Sequence, residues 1–175
     1  MTGLIFTILY LFLFYGFTII SIKKFGVPSS HSEFYYDWYG YTTHPIWEMV
    51  NFFSALLLMI AMKASVPYGS LWWIIGTIAP CFLVGVMMVP CFRRNALDGF
   101  IHTTCAILCA ALTIAYIIFG LHAWWTIIVS VLTVFFTMWL TEAFKEKDTW
   151  TWWFEQILFY GIAMALLSSN LMILI

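Results

Sequence analysis

The sequence predicts an all-α, polytopic integral membrane protein with six transmembrane helices in a single domain over residues 1–175. The composition is the first observation, because 64% of the residues are hydrophobic and only 9% are charged, whereas soluble domains carry about 25% charged residues. The mean hydropathy of +0.98 is the second, and a series of long apolar runs with short polar breaks is the third. So much hydrocarbon cannot be covered inside one core of this size and belongs in a bilayer.

The apolar runs define six predicted spans. A bilayer hydrocarbon core of about 30 Å requires about 20 apolar residues per helix, and Gly, Pro and charged residues separate runs of about this length. The predicted spans are residues 3–22, 46–64, 71–90, 99–120, 123–143 and 152–174. The first run has no basic region before it and no small-residue cleavage site after it, so we expect a retained helix rather than a signal peptide.

The basic residues predict the topology. The loops after the first, third and fifth spans contain Lys23, Lys24, Arg93, Arg94, Lys145 and Lys147, whereas the opposite side has Lys63. Cytoplasmic loops carry an excess of Lys and Arg, so we expect these three loops in the cytoplasm and both termini outside. The sequence has no basic stripe that would indicate a nucleic-acid partner. The four cysteines follow no disulfide or metal-knuckle spacing and are interpreted as apolar packing residues.

The segment after the first span predicts a short interfacial helix over residues 30–40. Ser30 and Glu33 have the S-x-x-E spacing of a capping box, in which both side chains satisfy backbone donors at a helix start. Aromatic residues then recur at roughly helical spacing, and Trp and Tyr favour the headgroup layer; they are Phe34, Tyr35, Trp38 and Tyr39. The alternative interpretation is a lid over a pocket among the helix ends, and both interpretations can hold together.

Three predicted helices each carry an ionisable residue about one turn inside the same membrane face. These residues are Glu48, His102 and Glu155. Ionisable groups inside a membrane usually face the bundle interior and pair with one another. We therefore expect the three to converge, with His44, Asp98, Asn51 and one or more tyrosines nearby.

Asp98 and His102 at positions i and i+4 point from one helix face. A carboxylate so placed can orient an imidazole for acid–base chemistry or for a metal, although we favour Asp98 as the N-cap of the fourth span. No metal and no cofactor are expected. If a metal were bound, His44, Asp98 and His102 would supply the three protein ligands that catalytic zinc requires.

Two short motifs carry a resemblance to a known family. They are "FGVPSSHSEFYY" after the first span and "PCFRRNALDGFIH" at the entry to the fourth. The chain resembles six-helix bacterial and phage membrane proteins classed as a domain of unknown function, which are distantly similar to the damage-regulated autophagy modulator type. The shared pattern falls on Pro28, Ser29, Ser30, Ser32, Tyr35, Tyr36 and His102, while His31 stands where an apolar residue is expected. The resemblance implies the six-helix fold and a bacterial inner (plasma) membrane, but no established reaction. The eukaryotic relatives imply cytoplasmic termini, opposite to the charge count.

A looser resemblance is to membrane hydrolases of the alkaline ceramidase type, which hold zinc with histidines. Three functional hypotheses follow. The first is a non-enzymatic bundle with a lipid-interacting, scaffold or regulatory role, whose partners are membrane lipids, other membrane proteins or a second copy. The second is a small proton-coupled transporter using Glu48, His102 and Glu155. The third is an intramembrane, metal-dependent lipid hydrolase.

Overall fold

The computed structural model describes residues 1–42, 45–140 and 147–172, and these residues form seven α-helices and no strand. The helices are α1 (Thr2–Phe25), α2 (Phe34–Thr42), α3 (Ile46–Ala64), α4 (Leu71–Met88), α5 (Ala96–Ala115), α6 (Trp124–Leu140) and α7 (Trp150–Met172). Short 3₁₀ turns, His31–Glu33 and Lys147–Thr149, precede α2 and α7, and a π-helical turn, Tyr116–Gly120, continues α5. The predicted all-α fold is confirmed.

Four helices are long and apolar enough to cross a membrane: α1, α3, α4 and α5 with its π turn. The described part of α6 is a shorter apolar helix of 17 residues. Helix α7 has 23 residues, but Glu155, Gln156 and Asn170 reduce its apolar character. It is therefore not among the four, and six spans stay a prediction. The predicted second span, 46–64, coincides with α3.

The helices pack side by side in an order that leaves one gap. Helix α1 lies between α3 and α7, α4 lies between α3 and α5, and α6 packs on α7. Helices α5 and α6 are consecutive, yet within the described residues they do not pack along their lengths. A space therefore remains between α5 on one side and α6 and α7 on the other.

The centre of the bundle is held by aromatic packing and one buried hydrogen bond. Tyr10, Phe14 and Tyr116 are almost fully buried, and the Tyr116 hydroxyl donates to the carbonyl oxygen of Met62 at 2.6 Å. Lipid is as apolar as these side chains, so the association of helices in a membrane depends on close packing and interhelical hydrogen bonds. Gly76 provides such close packing, because a Cβ there would lie 3.1 Å from the Cβ of Met62.

Helix α2 is docked against α1 and α3 by its inner face. Phe34 is fully buried, and Trp38 is buried and donates from its indole nitrogen to the Ser21 hydroxyl at 2.8 Å. The predicted capping box is wrong, because the Ser30 side chain makes no cap bond and the backbone N–H of Glu33 bonds to the Ser30 carbonyl. The short helix after the first span is thus present, but tertiary packing rather than a capping box holds it.

The close approach at Gly76 predicts a packing defect on substitution. We expect Gly76→Val to reduce stability by about 1–3 kcal/mol, because the added side chain overpacks the contact with Met62. Gly16→Val in α1 is the matched control, since a Cβ at Gly16 meets no atom within 4 Å. Thermal unfolding in detergent would compare the two variants with the wild type. Equal stability of both variants would contradict this account of the α3–α4 contact.

Candidate functional site

A cavity of about 630 Å³ occupies the space left between α5 and the α6–α7 pair. Its volume lies within the range of about 300–1,000 Å³ that is usual for small-molecule sites. One end is lined by polar side chains, chiefly Ser30, His31, Ser32, Asn51, His102 and Glu155. The other end is lined by hydrocarbon, including Ala110, Ile114, Ile117, Ile127, Leu158 and Gly161. One end of the cavity therefore suits a polar group and the other end suits a hydrocarbon chain, as an amphiphilic ligand would require.

The polar end is built on the chain between α1 and α2. The carbonyl of Ser29 accepts from the backbone N–H of Trp152 at 3.0 Å, and the backbone N–H of His31 donates to the Glu155 carboxylate at 2.6 Å. The carbonyl of His31 accepts from the indole N–H of Trp47 at 3.2 Å. These three bonds attach residues 29–31 to α7 and α3, and backbone groups buried at this depth need such partners.

His31 has a defined tautomer. Its Nε2 lies 3.0 Å from Oδ1 of Asn51, and the amide nitrogen of Asn51 donates to the Trp47 carbonyl at 2.8 Å. That second bond fixes the orientation of the amide, so Oδ1 is the acceptor and the His31 Nε2 carries the proton. The Nδ1 of His31 is buried and has no hydrogen-bond partner among the described residues. It is a bare lone pair on a residue that lines the cavity.

The surroundings of His31 keep it neutral. Its ring stacks on Phe14, with 4.8 Å between ring centroids, and it lies 5.8 Å from the ring of Phe159. Burial in this aromatic environment lowers the pKa of His31 to about 4, although the hydrogen bond with Asn51 opposes the shift. The imidazole is therefore uncharged at neutral pH.

His102 and Ser32 form a second polar pair. Nδ1 of His102 lies 3.1 Å from the carbonyl oxygen of Val89, and Nε2 lies 3.0 Å from the Ser32 hydroxyl. A carbonyl oxygen only accepts, so Nδ1 carries the proton, and in the neutral imidazole Nε2 accepts from Ser32. Phe92 stacks on the imidazole at a centroid distance of 4.4 Å. Both His102 and Ser32 are 7% exposed.

An ion pair at the rim connects α2 to the α4–α5 loop. The guanidinium of Arg93 bonds to the Glu33 carboxylate at 2.5 Å, and the backbone N–H of Arg93 donates to the Tyr36 hydroxyl at 3.1 Å. Burial raises the pKa of the Glu33 carboxyl, and the charge of Arg93 opposes that rise. The Arg93 side chain is 62% exposed, so this ion pair contributes little to stability.

The structure brings some of the predicted site residues together and separates others. His102, Glu155 and Asn51 line the cavity, whereas Glu48 does not. The Asp98 carboxylate accepts from the Asn95 side-chain amide at 2.8 Å. The two ring nitrogens of His102 bond instead to the Val89 carbonyl and the Ser32 hydroxyl. The N-cap of α5 is Asn95, whose side chain accepts from the backbone N–H of Asp98, so the predicted capping role of Asp98 is wrong. The predicted His44 lies outside the described residues.

Three polar residues of the cavity were not predicted as site residues: Ser30, His31 and Ser32. All three lie in the "PSSHSEF" segment, where His31 stands in a position expected to be apolar. The presence of a histidine at that position was the signal in the sequence that could have identified His31. The partner of Ser32 lies 70 residues away in sequence, and spacing arguments do not reach that far. Among the described residues, no group of three or more His, Cys, Asp or Glu side chains could hold a metal ion.

Comparison of the chain with protein-family models, with curated proteins and with solved structures found no match. The resemblance to six-helix bacterial and phage membrane proteins therefore stays a prediction.

The buried His31 predicts a loss of stability in acid. In the unfolded chain His31 takes up a proton near pH 6.5, but in the folded protein it stays neutral until about pH 4. Between these values the unfolded state binds more protons, so stability falls as the pH falls. The difference of more than two pKa units corresponds to roughly 3 kcal/mol at the acidic end.

Thermal unfolding in detergent from pH 7 to pH 4.5 would measure this effect in the wild type and in His31→Gln. We expect a steeper decline for the wild type, because Gln cannot titrate but can still donate to Asn51. Burial raises the pKa of Glu33 and of Asp37, which favours the folded state in acid. Both carboxyls are present in both proteins, so their effect cancels in the comparison. Parallel profiles would show that His31 is not a buried neutral imidazole.

Proposed function

We propose that this protein is an integral membrane protein that binds a neutral, single-chain lipid in the cavity between α5 and α7. The observation that supports this most is the division of the cavity into a polar end and a hydrocarbon end. The acyl chain would lie along the hydrocarbon end. The headgroup would face His31, Asn51 and Glu155.

The length of the cavity suits an acyl chain. Its lining on α5 and the π turn that continues α5 extends from His102 to Ile117. A helix rises by about 22 Å over 15 residues. One leaflet contributes about half of the roughly 30 Å hydrocarbon core. The lining is therefore longer than the roughly 15 Å hydrocarbon depth of one leaflet, so an acyl chain has at least as much room along the cavity as it has in a leaflet.

The cavity also has a side entrance. Thr103 and Ile107 on α5, and Thr151 and Phe154 on α7, line it and are exposed at the protein surface. This surface belongs to apolar helices, which would face lipid in a membrane. A lipid could thus enter laterally from the bilayer, without passing through water.

The charge of the lining favours a neutral headgroup. Among the described residues that line the cavity there is no Lys and no Arg, the residues that usually bind phosphate. The nearby Arg93 is engaged by Glu33. A headgroup with hydroxyls, such as the glycerol of a monoacylglycerol, can donate to the Glu155 carboxyl at this end of the cavity.

For the orientation, we propose that the polar end faces the cytoplasm. Lys23 and Lys24 end α1, and Arg93 and Arg94 precede α5, at the same end of the bundle as His31. Lys63 lies in the last turn of α3, at the opposite end. This arrangement agrees with an excess of basic residues on the cytoplasmic side.

The alternative of a proton-coupled carrier has less support from the lining. The described lining residues are all apolar along α5 and its π turn beyond Cys109, and along α7 beyond Glu155, so they offer no polar side chains for a path to the far end. A hydrocarbon end of this kind supports lipid binding instead.

Blocking the hydrocarbon end should abolish binding. We expect Ala110→Trp to weaken the binding of a fluorescent monoacylglycerol at least about ten-fold, a loss of about 1.4 kcal/mol, because the indole fills the cavity. Ala111→Trp is the matched control, since Ala111 is the next residue on α5, is exposed and does not line the cavity. Fluorescence anisotropy in detergent or nanodiscs would give the affinities. Equal binding by both variants would overturn the assignment of the cavity.

The headgroup preference gives an independent test. We expect a monoacylglycerol to bind at least about ten-fold more tightly than a lysophosphatidic acid with the same chain, because the described residues that line the polar end include no Lys or Arg to bind a phosphate. Competition against the same fluorescent ligand would measure both. Tighter binding of the phosphate lipid would contradict the proposed lipid class.

A further inference from the structure

We infer that Ser32 is an acyl-accepting nucleophile and His102 its general base, so that the bound lipid is a carboxylic ester that the protein hydrolyses. The inference depends on the proposed function for its substrate class. It goes beyond that function in assigning a reaction to the polar end of the cavity.

The geometry is that of an activated serine. The Ser32 hydroxyl lies 3.0 Å from Nε2 of His102, and the opposite ring nitrogen donates to the Val89 carbonyl at 3.1 Å. An activated nucleophile is recognised by a base within about 2.6–3.2 Å and by a third group that orients this base. Here a backbone carbonyl takes the place of the carboxylate that usually orients the imidazole.

The stacking of Phe92 on His102 strengthens the assignment. The ring is held on one face by an aromatic side chain and at Nδ1 by a backbone acceptor. Its Nε2 is therefore directed at Ser32 before any substrate binds. Such a fixed base needs little reorganisation during proton transfer.

The position of the pair agrees with an ester substrate. Ser32 and His102 both line the cavity, and Ala106 and Ile107, the next apolar lining residues of α5, follow His102 along that helix. In a monoacylglycerol the ester carbonyl connects the acyl chain to the headgroup. A lipid with its chain along α5 and its glycerol near His31 would place that carbonyl close to the Ser32 hydroxyl.

The reaction has two balanced steps. In the first, the Ser32 oxygen attacks the ester carbon, and His102 takes the hydroxyl proton at Nε2. The ester C–O bond then breaks, and that proton passes to the departing glycerol oxygen. In the second, water attacks the acyl-serine, His102 takes a proton from the water and returns it to Ser32, and a fatty acid leaves. One ester and one water give one alcohol and one acid.

Covalent labelling tests this assignment directly. Diisopropyl fluorophosphate is small enough to test the serine without the hydrocarbon end, and hexadecyl fluorophosphonate tests the serine and the hydrocarbon end together. Each probe forms an Oγ–P bond and loses fluoride, so intact mass and peptide mapping identify the modified residue. We expect both probes to label the wild type at Ser32 with one adduct per chain.

The variants test whether Ser32 reacts as a nucleophile or only makes a structural hydrogen bond. Ser32→Ala should lose the adduct, and His102→Ala should be labelled about 10²-fold or more slowly, as is usual when a general base is removed. Ser168→Ala is the matched control, because the Ser168 hydroxyl bonds to the Ala165 carbonyl and Ser168 does not line the cavity, so this variant should be labelled as the wild type. Monoacylglycerol binding by each variant would show that it is folded.

The outcomes distinguish the two proposals. An unlabelled wild type that still binds monoacylglycerol overturns the nucleophile and leaves lipid binding in place. Labelling of Ser32→Ala at the wild-type rate, or of His102→Ala at that rate, also overturns the assignment. Labelling of Ser32 by the small probe but not by the hexadecyl probe keeps the nucleophile and overturns the long-chain ester as its substrate.

Discussion

The hydrogen bond between the backbone N–H of His31 and the Glu155 carboxylate positions the polar end of the cavity. The connection between α1 and α2 enters the end of the bundle, where an unpaired backbone donor costs about 1–3 kcal/mol. An oxygen of the Glu155 carboxyl accepts from this donor at 2.6 Å and so satisfies it. Once residues 29–32 are held in this way, Ser32 meets His102 on α5 and the imidazole of His31 meets Asn51 on α3.

The cavity itself results from a pair of helices that do not pack. Helices α5 and α6 are joined by a short turn in which His122 adopts a positive φ of 52°, and Tyr116 anchors the end of α5 to Met62. Away from this joint the two helices separate, because α5 packs along α4 and α6 packs along α7. In water such a gap between apolar helices would be costly. In a bilayer, lipid can fill it, since the driving force for closing it is absent there.

The two histidines of the site are held in different tautomers and therefore have different capacities. His31 has its proton on Nε2, which bonds to Asn51, and its buried Nδ1 has no hydrogen-bond partner among the described residues. His102 has its proton on Nδ1 and a basic Nε2 that already contacts a hydroxyl. The His31 tautomer depends on the Trp47 carbonyl, which orients Asn51, and the His102 tautomer depends on the Val89 carbonyl, which bonds the ring directly. The His102 arrangement suits proton transfer, and the hydrolytic proposal uses it.

The sequence by itself determined the class of the protein and the approximate limits of its helices, because apolar runs and Gly or Pro breaks are local properties. It also drew attention to His102 and Glu155, since ionisable residues inside apolar helices are rare. It did not determine their partners. Asp98, at i+4 spacing from His102, bonds instead to Asn95, and the partner of His102 comes from the α1–α2 connection. Only the tertiary structure decided these contacts, because the order in which helices pack brings together residues that no local spacing relates.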